Sequence, residues 1–130
     1  MPNLPRPDRK KYLPKQRTDR KPTSDQAFYN KAVWAKARLY YRTENPLCEV
    51  SAEAGQVVPG EVVDHIIPIS NGGARLDPKN LMTLSAKMHD IKSGMESKTS
   101  PLIGWDYNDN GDKIPTDRKL IIQKLIKFVK

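Results

Sequence analysis

Residues 61–92, EVVDHIIPISNGGARLDPKNLMTLSAKMHDIK, decide the fold of this chain. The β-branched run at 61–67 predicts a strand. The sequences Asn71-Gly72-Gly73 and Asp77-Pro78 are typical of sharp turns. Leu81–Leu84 then predicts a second short strand.

Three helices are predicted around these strands. Ser85 is a suitable N-cap for a helix from residue 86 to about 93, with Gly94 at its end. The run 26–42 contains neither Gly nor Pro and predicts a first helix. Residues 117–129 carry an apolar stripe too wide to leave in water, and predict a last helix that docks on the chain's own core or on a second copy. The local order is strand, loop, strand, helix, which indicates an α+β fold.

The only two histidines of the chain, His65 and His89, lie in this stretch together with Asp64 and Asn80. Neighbouring residues of a strand point to opposite sides, so Asp64 and His65 can take different roles. A helix packed across both strands brings His89 beside the Asp64 carboxylate. One oxygen and one nitrogen ligand suit Mg²⁺ or Mn²⁺ and tolerate Ni²⁺ or Zn²⁺, and the sequence does not choose among them.

The predicted first helix has an apolar face and a basic face. The apolar face holds Phe28, Trp34, Ala37 and Tyr41, which we expect to pack in the core rather than to stack on bases. The basic face holds Lys31, Lys36, Arg38 and Arg42. Arg38 either reaches phosphate or is solvated, and both interpretations stay open.

The charge of the chain is concentrated at its start. Lys and Arg number 23 against 15 Asp and Glu, for a net charge of +8 over 130 residues. Residues 1–22 hold eight basic and two acidic side chains with five prolines, and have little apolar surface to bury. We therefore expect a disordered basic arm. Such an arm binds nucleic acid by counterion release, although basic tails also attract membranes and acidic proteins or are simply solvated.

Two classes of location are disfavoured by the sequence. No apolar stretch approaches the roughly 18 residues of a spanning helix, and the first residues lack the apolar segment of a signal peptide. Cys48 is the only cysteine, so no internal disulfide can form. We expect a cytoplasmic protein.

These residues resemble the HNH endonucleases, specifically the small phage-type members. The resemblance is carried by Asp64-His65-Ile66-Ile67-Pro68, Gly72-Gly73, Asp77, Asn80-Leu81 and His89-Asp90-Ile91-Lys92. The spacing from His65 to Asn80 to His89 is similar to that of the colicin DNase branch. The resemblance implies a ββα-metal (His-Me finger) core at about 61–95, within one nuclease domain at 23–130.

The resemblance also implies roles for these residues. His65 would be the general base that takes a proton from the attacking water, and Asn80 would pin the loop that orients it. Asp64 and His89 would hold one divalent metal ion at the scissile phosphate. The products would carry 5′ phosphate and 3′ hydroxyl ends. Lys92, one helical turn after His89, would contact phosphate or be solvated.

DNA is the partner that the resemblance implies, with a phage terminase and DNA packaging as the setting. The side chains expected to contact it are Arg6, Lys10, Lys11, Arg38 and Lys92. Two other functions stay open: a non-catalytic nucleic-acid-binding module on the same fold, and a sequence-specific homing or restriction nuclease. The oligomeric state, monomer or homodimer, is open as well.

The chain departs from many HNH relatives at their zinc knuckle. The knuckle of those relatives has four cysteines. The corresponding residues of this chain are Cys48, Ser51, Ser85 and Met88, so three thiols are missing and no structural zinc is expected. Cys48 is then predicted to be a small buried apolar residue.

A second motif imitates a calcium loop. Asp106, Asn108, Asn110, Gly111 and Asp117 match positions of an EF-hand, with Asp in place of the final Glu. Lys113 and Pro115 do not fit that motif. A hairpin that turns at Asn110-Gly111 is the favoured interpretation, and calcium is the alternative.

Overall fold

The computed structural model describes residues 24–29, 31–99 and 101–129. The predicted basic arm at 1–22, with Arg6, Lys10 and Lys11, lies outside the described residues. No helix in the described ranges is both long enough and apolar enough to cross a membrane.

The described elements are five α-helices and four strands. The helices are α1 (Ser24–Tyr29), α2 (Ala32–Glu44), α3 (Glu49–Glu53), α4 (Ala86–Lys98) and α5 (Arg118–Ile126). The strands are β1 (Val62–His65), β2 (Leu81–Leu84), β3 (Trp105–Tyr107) and β4 (Lys113–Pro115). Short 3₁₀ turns at Ile69–Asn71 and Pro78–Asn80 lie in the loop between β1 and β2.

The centre of the fold is the antiparallel pair of β1 and β2, followed directly by α4. Val62 pairs with Leu84 and His65 pairs with Leu81, so β1 ends at His65, two residues earlier than the sequence predicts. Ile66 still donates its backbone N–H to Asn80, and the chain turns away at Pro68. The Ser85 side chain caps α4 by accepting from the Met88 N–H. This is the predicted ββα order.

Two predicted helix boundaries are wrong. The first helix is two helices, because Lys31 has an extended backbone and lets α1 fold back on α2. The Phe28 and Trp34 rings then meet at 5.7 Å. Gly94 does not end α4, which continues to Lys98. A glycine inside a helix costs about 1 kcal/mol relative to alanine. The next residue, Met95, packs against the core and offsets this cost.

The core has two parts, one on each face of the β1–β2 pair. One face packs against α3, α4 and α5, with Met82, Leu84, Ile121 and Leu125 fully buried. The other packs against α1 and α2 through Phe28, Trp34, Tyr41 and Leu81. The last helix thus docks on the chain's own core. It begins at Arg118, after the N-cap Asp117, and ends at Ile126, before the predicted end at residue 129.

A polar network ties α5 to the rest of the domain. The Arg118 guanidinium donates to the Tyr41 hydroxyl, to Glu49 Oε1 at 2.7 Å and to the Pro78 carbonyl. Burial raises the pKa of Tyr41 to about 12, and the hydrogen bond from Arg118 opposes that shift. The network holds the turn before Asn80 against α2 and α3.

The segment that imitates a calcium loop is a β-hairpin. Strands β3 and β4 pair antiparallel, and the turn between them has Gly111 at φ +80°. Asn108 Oδ1 accepts from the backbone N–H groups of Asn110 and Asp112. That oxygen therefore closes the turn, as the favoured interpretation requires.

Candidate active site

Asp64 and His89 face each other on one side of the β1–β2 pair. Asp64 lies on β1 and His89 on α4, and Asp64 Oδ1 is 3.9 Å from His89 Nε2. Their side chains are 20% and 34% exposed, so both reach solvent. They open into a cleft of about 290 Å³, also lined by Tyr29, Trp34, Arg38 and His65.

His65 occupies the opposite side of the same strand and is almost wholly enclosed. Its side chain is 2% exposed, and its ring stacks on Trp34 with centroids 4.7 Å apart at 24°. Its Nε2 lies 2.8 Å from the Arg75 carbonyl oxygen, and its Nδ1 lies 3.3 Å from the Tyr29 hydroxyl. A carbonyl only accepts, so Nε2 carries the proton and Nδ1 holds the free lone pair.

The surroundings of His65 favour its neutral form. Burial lowers the pKa of the imidazole below its ordinary value, while the Arg75 carbonyl and the Asp64 carboxylate oppose the shift. A neutral imidazole with its tautomer fixed by a backbone carbonyl can accept a proton at Nδ1. The side chain therefore has the chemistry of a general base.

Asn80 holds together the loop that orients His65. Its Nδ2 donates to the carbonyls of Ile67 at 3.0 Å and Ala74 at 2.8 Å, and its Oδ1 accepts from the Ile67 N–H at 2.8 Å. A Cβ at Gly73 would lie 1.9 Å from the Ile67 carbonyl oxygen, so only glycine permits this closure. The same loop delivers the Arg75 carbonyl to His65.

The pair of Asp64 and His89 fits a divalent metal ion. Ligands of an octahedral ion with bonds of about 2.1 Å are about 3.0 Å apart when adjacent and about 4.2 Å apart when opposite. The 3.9 Å between Asp64 Oδ1 and His89 Nε2 lies between these values, so both atoms can reach one ion after a small side-chain movement. No cluster of three or more His, Cys, Asp or Glu suited to a metal occurs in the part of the chain that the structure describes.

A comparison with protein-family models finds no match, and a sequence comparison with curated proteins finds none either. A comparison with solved structures finds similarity to the HNH endonuclease of the deep-sea thermophilic bacteriophage GVE2, crystallised with manganese ion. The two chains are 29% identical, the match covers 57% of this chain and 83% of that one, and the TM-score is 0.51. This chain has an HNH-type nuclease fold.

The resemblance to HNH nucleases and the α+β fold class are thereby confirmed. Adjacent residues of β1 point to different sides of the sheet. His65 lies against α1 and α2, whereas Asp64 lies against α4, as strand alternation predicts.

The predicted position of Lys92, in contact with phosphate or in solvent, is wrong. Its side chain is 0% exposed and lies beneath the cleft. The ammonium is 2.7 Å from Asp64 Oδ2, donates to the His65 carbonyl oxygen at 3.0 Å and donates to Glu96. Lys92 is one turn past His89 on the inner side of α4, where it has no route to DNA.

Sequence reasoning missed three participants of this HNH-type site. Glu96, four residues after Lys92, could have been found from the i,i+4 spacing of an ion pair on one helix. The Arg75 carbonyl and the Tyr29 hydroxyl carry no sequence signal, because a backbone group and a tertiary contact are set by folding. Arg38 lines the cleft, and its contact with phosphate stays a prediction.

A buried polar contact lies at the positions predicted to correspond to a zinc knuckle. Cys48 is fully buried and lies within hydrogen-bonding range of Ser51 and Ser85. Those contacts lower the pKa of the thiol, although its burial acts in the opposite direction. The positions that correspond to the knuckle are thus still neighbours in space, with α5 packed against the same core cluster.

Proposed function

We propose that this chain is a metal-dependent endonuclease that hydrolyses phosphodiester bonds of DNA. The observation that carries the proposal is the division of β1: a largely buried, oriented imidazole at His65 and an accessible pair at Asp64 and His89, which line one cleft. A phosphodiesterase needs both a proton acceptor for water and a charge-stabilising centre for phosphate. The manganese-containing GVE2 nuclease supports a divalent ion at the second centre.

The chain's own residues perform defined parts of this reaction. His65 Nδ1 accepts the proton of the attacking water, while the Arg75 carbonyl keeps Nε2 protonated and the ring oriented. Asp64 and His89 would hold Mg²⁺ or Mn²⁺, which when bound stabilises the charge that develops on the phosphate and the departing 3′ oxygen. Arg38 at the cleft supplies positive charge for the DNA backbone.

The wider setting is part of the proposal. Residues 1–22 supply the basic arm that binds DNA phosphates through Arg6, Lys10 and Lys11. The phage origin of the GVE2 nuclease supports a role in phage DNA processing. A terminase as the partner is part of the proposal and rests on the sequence resemblance.

Cleavage of supercoiled plasmid tests the proposal. Wild type, His65→Ala and His89→Ala are compared with Mg²⁺, Mn²⁺, Ni²⁺, Zn²⁺ or EDTA, and Asp106→Asn, at an exposed hairpin residue, serves as the control. We expect loss of cleavage in both histidine variants, by a factor of about 100 or more for His65, and full activity in the control.

The ends and the binding of DNA complete the test. Products should be resealed by DNA ligase, as 5′ phosphate and 3′ hydroxyl ends require. His65→Ala should still shift DNA in a gel with EDTA present. Equal cleavage by wild type and His65→Ala would overturn the proposal, and DNA binding by wild type with every metal but without cleavage would favour the non-catalytic module.

A further inference from the structure

We propose that Lys92 is a buried positioning residue that fixes Asp64 as a one-oxygen metal ligand and ties that ligand to the backbone of the general base. The inference rests on the proposed function and extends it. The side chain is the largest fully buried one described in the chain, and it is charged. A buried charge without a purpose is costly, so its partners indicate what it does.

Three oxygen atoms of other residues surround the ammonium of Lys92. They are Asp64 Oδ2 at 2.7 Å, the His65 carbonyl oxygen at 3.0 Å and Glu96 Oε1. Two of them, the His65 carbonyl oxygen and Glu96 Oε1, accept hydrogen bonds from the ammonium, whereas Asp64 Oδ2 is held as an ion pair. We call the side chains of Asp64, Lys92 and Glu96 the Lys92 triad.

The triad divides the two oxygens of Asp64 between two roles. Oδ2 is shielded from solvent and faces the ammonium, whereas Oδ1 faces His89 across 3.9 Å. Only Oδ1 is therefore available to an ion held with His89. A free carboxylate could rotate or bind through both oxygens, and the contact with Lys92 prevents both.

The Lys92 ammonium contacts both Asp64 and His65, the two neighbouring residues of β1. Asp64 and His65 point to opposite sides of β1, yet Lys92 contacts the side chain of one and the carbonyl of the other. Glu96 is the counter-anion, with its side chain 15% exposed. Because Glu96 balances the lysine, the formal charge of the triad is the same as that of Asp64 alone.

This charge balance gives a clean experiment. The double variant Lys92→Met/Glu96→Gln removes the tether but keeps the local formal charge, so any change in metal affinity reports the orientation of Asp64. Replacing a buried ion pair by uncharged groups is often neutral or stabilising, so the variant should fold. Its unfolding temperature and circular dichroism verify this.

The main readout is Mn²⁺ affinity, measured by calorimetry and by electron paramagnetic resonance, with DNA cleavage as the second. We expect about tenfold weaker Mn²⁺ binding and at least tenfold slower cleavage in the double variant, as for other groups that orient metal ligands. Lys87→Met, which removes an exposed lysine from the same helix, is the control and should match wild type.

Glu96→Gln alone covers the case in which the double variant does not fold. It keeps Lys92 but removes the negative charge that balances the ammonium next to Asp64. The unbalanced positive charge repels the cation, so Mn²⁺ binding should weaken by about fivefold. Unchanged Mn²⁺ affinity in Glu96→Gln would show that the charge of Lys92 has no effect on Asp64 as a metal ligand, and would overturn the inference.

The two proposals fail in different ways. A double variant that is folded and binds Mn²⁺ and cleaves DNA as wild type does would overturn the role of Lys92 while leaving the nuclease intact. A wild-type protein that binds no Mn²⁺ and cleaves nothing would overturn both.

Discussion

The two faces of the β1–β2 pair differ in almost every physical property. On the aromatic face, formed by Phe28, Tyr29 and Trp34, the imidazole of His65 is stacked and 2% exposed. On the α4 face, Asp64 and His89 are partly exposed and open into the cleft. The strand between them is only four residues long.

This contrast shows how a small domain meets two opposite demands. A general base near neutrality must stay neutral and oriented, which favours burial beside a fixed acceptor. Metal ligands must remain charged or available and must leave room for water and substrate. Strand alternation separates the two environments by one residue, at no cost in size.

The largest expected effect compares a core residue from each face. Trp34→Ala and Leu125→Ala each remove a buried side chain and should lower the free energy of unfolding by about 2–5 kcal/mol. Of these two residues only Trp34 contacts His65, so only Trp34→Ala should also slow cleavage, by about tenfold, at a temperature where both variants are folded. Urea unfolding and plasmid cleavage measure the two quantities.

Leu125→Ala is the matched control in this pair, because Leu125 belongs to the other part of the core, on the α4 face. If both variants lose activity in proportion to stability alone, the aromatic face has no special relation to the base. The comparison between the two faces would then concern packing and not catalysis.

The next effect concerns the loop between the strands. Asn80→Ala leaves three buried backbone groups without their partners and should destabilise the protein by about 3 kcal/mol. Thr83→Val is a control of the same kind, since the buried Thr83 hydroxyl has no hydrogen-bond partner in the described ranges. It should be neutral or stabilising. Equal destabilisation in urea would show that Asn80 is an ordinary buried polar residue.

Metal binding sharpens the comparison from the α4 face. Mn²⁺ at 100 times its dissociation constant should stabilise wild type by about 2.7 kcal/mol. His89→Ala should lose this gain while its unfolding without metal stays close to wild type, because the side chain is 34% exposed. Thermal unfolding with Mn²⁺ and with EDTA checks both statements. A full Mn²⁺ gain in His89→Ala would remove His89 from the ligand set.

The sequence predicted the parts of the site that depend on local pattern. Strand alternation predicted that Asp64 and His65 point to opposite sides of β1. The capped helix after β2 predicted that His89 lies beside Asp64, as it does. Lys92 was misplaced because its burial depends on Glu96 and Asp64 meeting across α4 and β1, which spacing alone does not reveal. The continuation of α4 past Gly94 has the same origin, since tertiary packing overrides a local helix stop.

The smallest expected effect lies where the aromatic face meets the cleft. Tyr29 is 44% exposed, and its hydroxyl lies 3.3 Å from His65 Nδ1, the nitrogen with the free lone pair. The attacking water needs that same lone pair, so the hydroxyl competes with it. Tyr29→Phe keeps the ring and removes the competing hydroxyl. The hydrogen bond that is lost contributes about 1 kcal/mol of free energy. Single-turnover cleavage at saturating Mn²⁺ should then be up to about fivefold faster than wild type. Slower cleavage would contradict this prediction and would show that the hydroxyl assists the water, which would extend the catalytic machinery from β1 to α1.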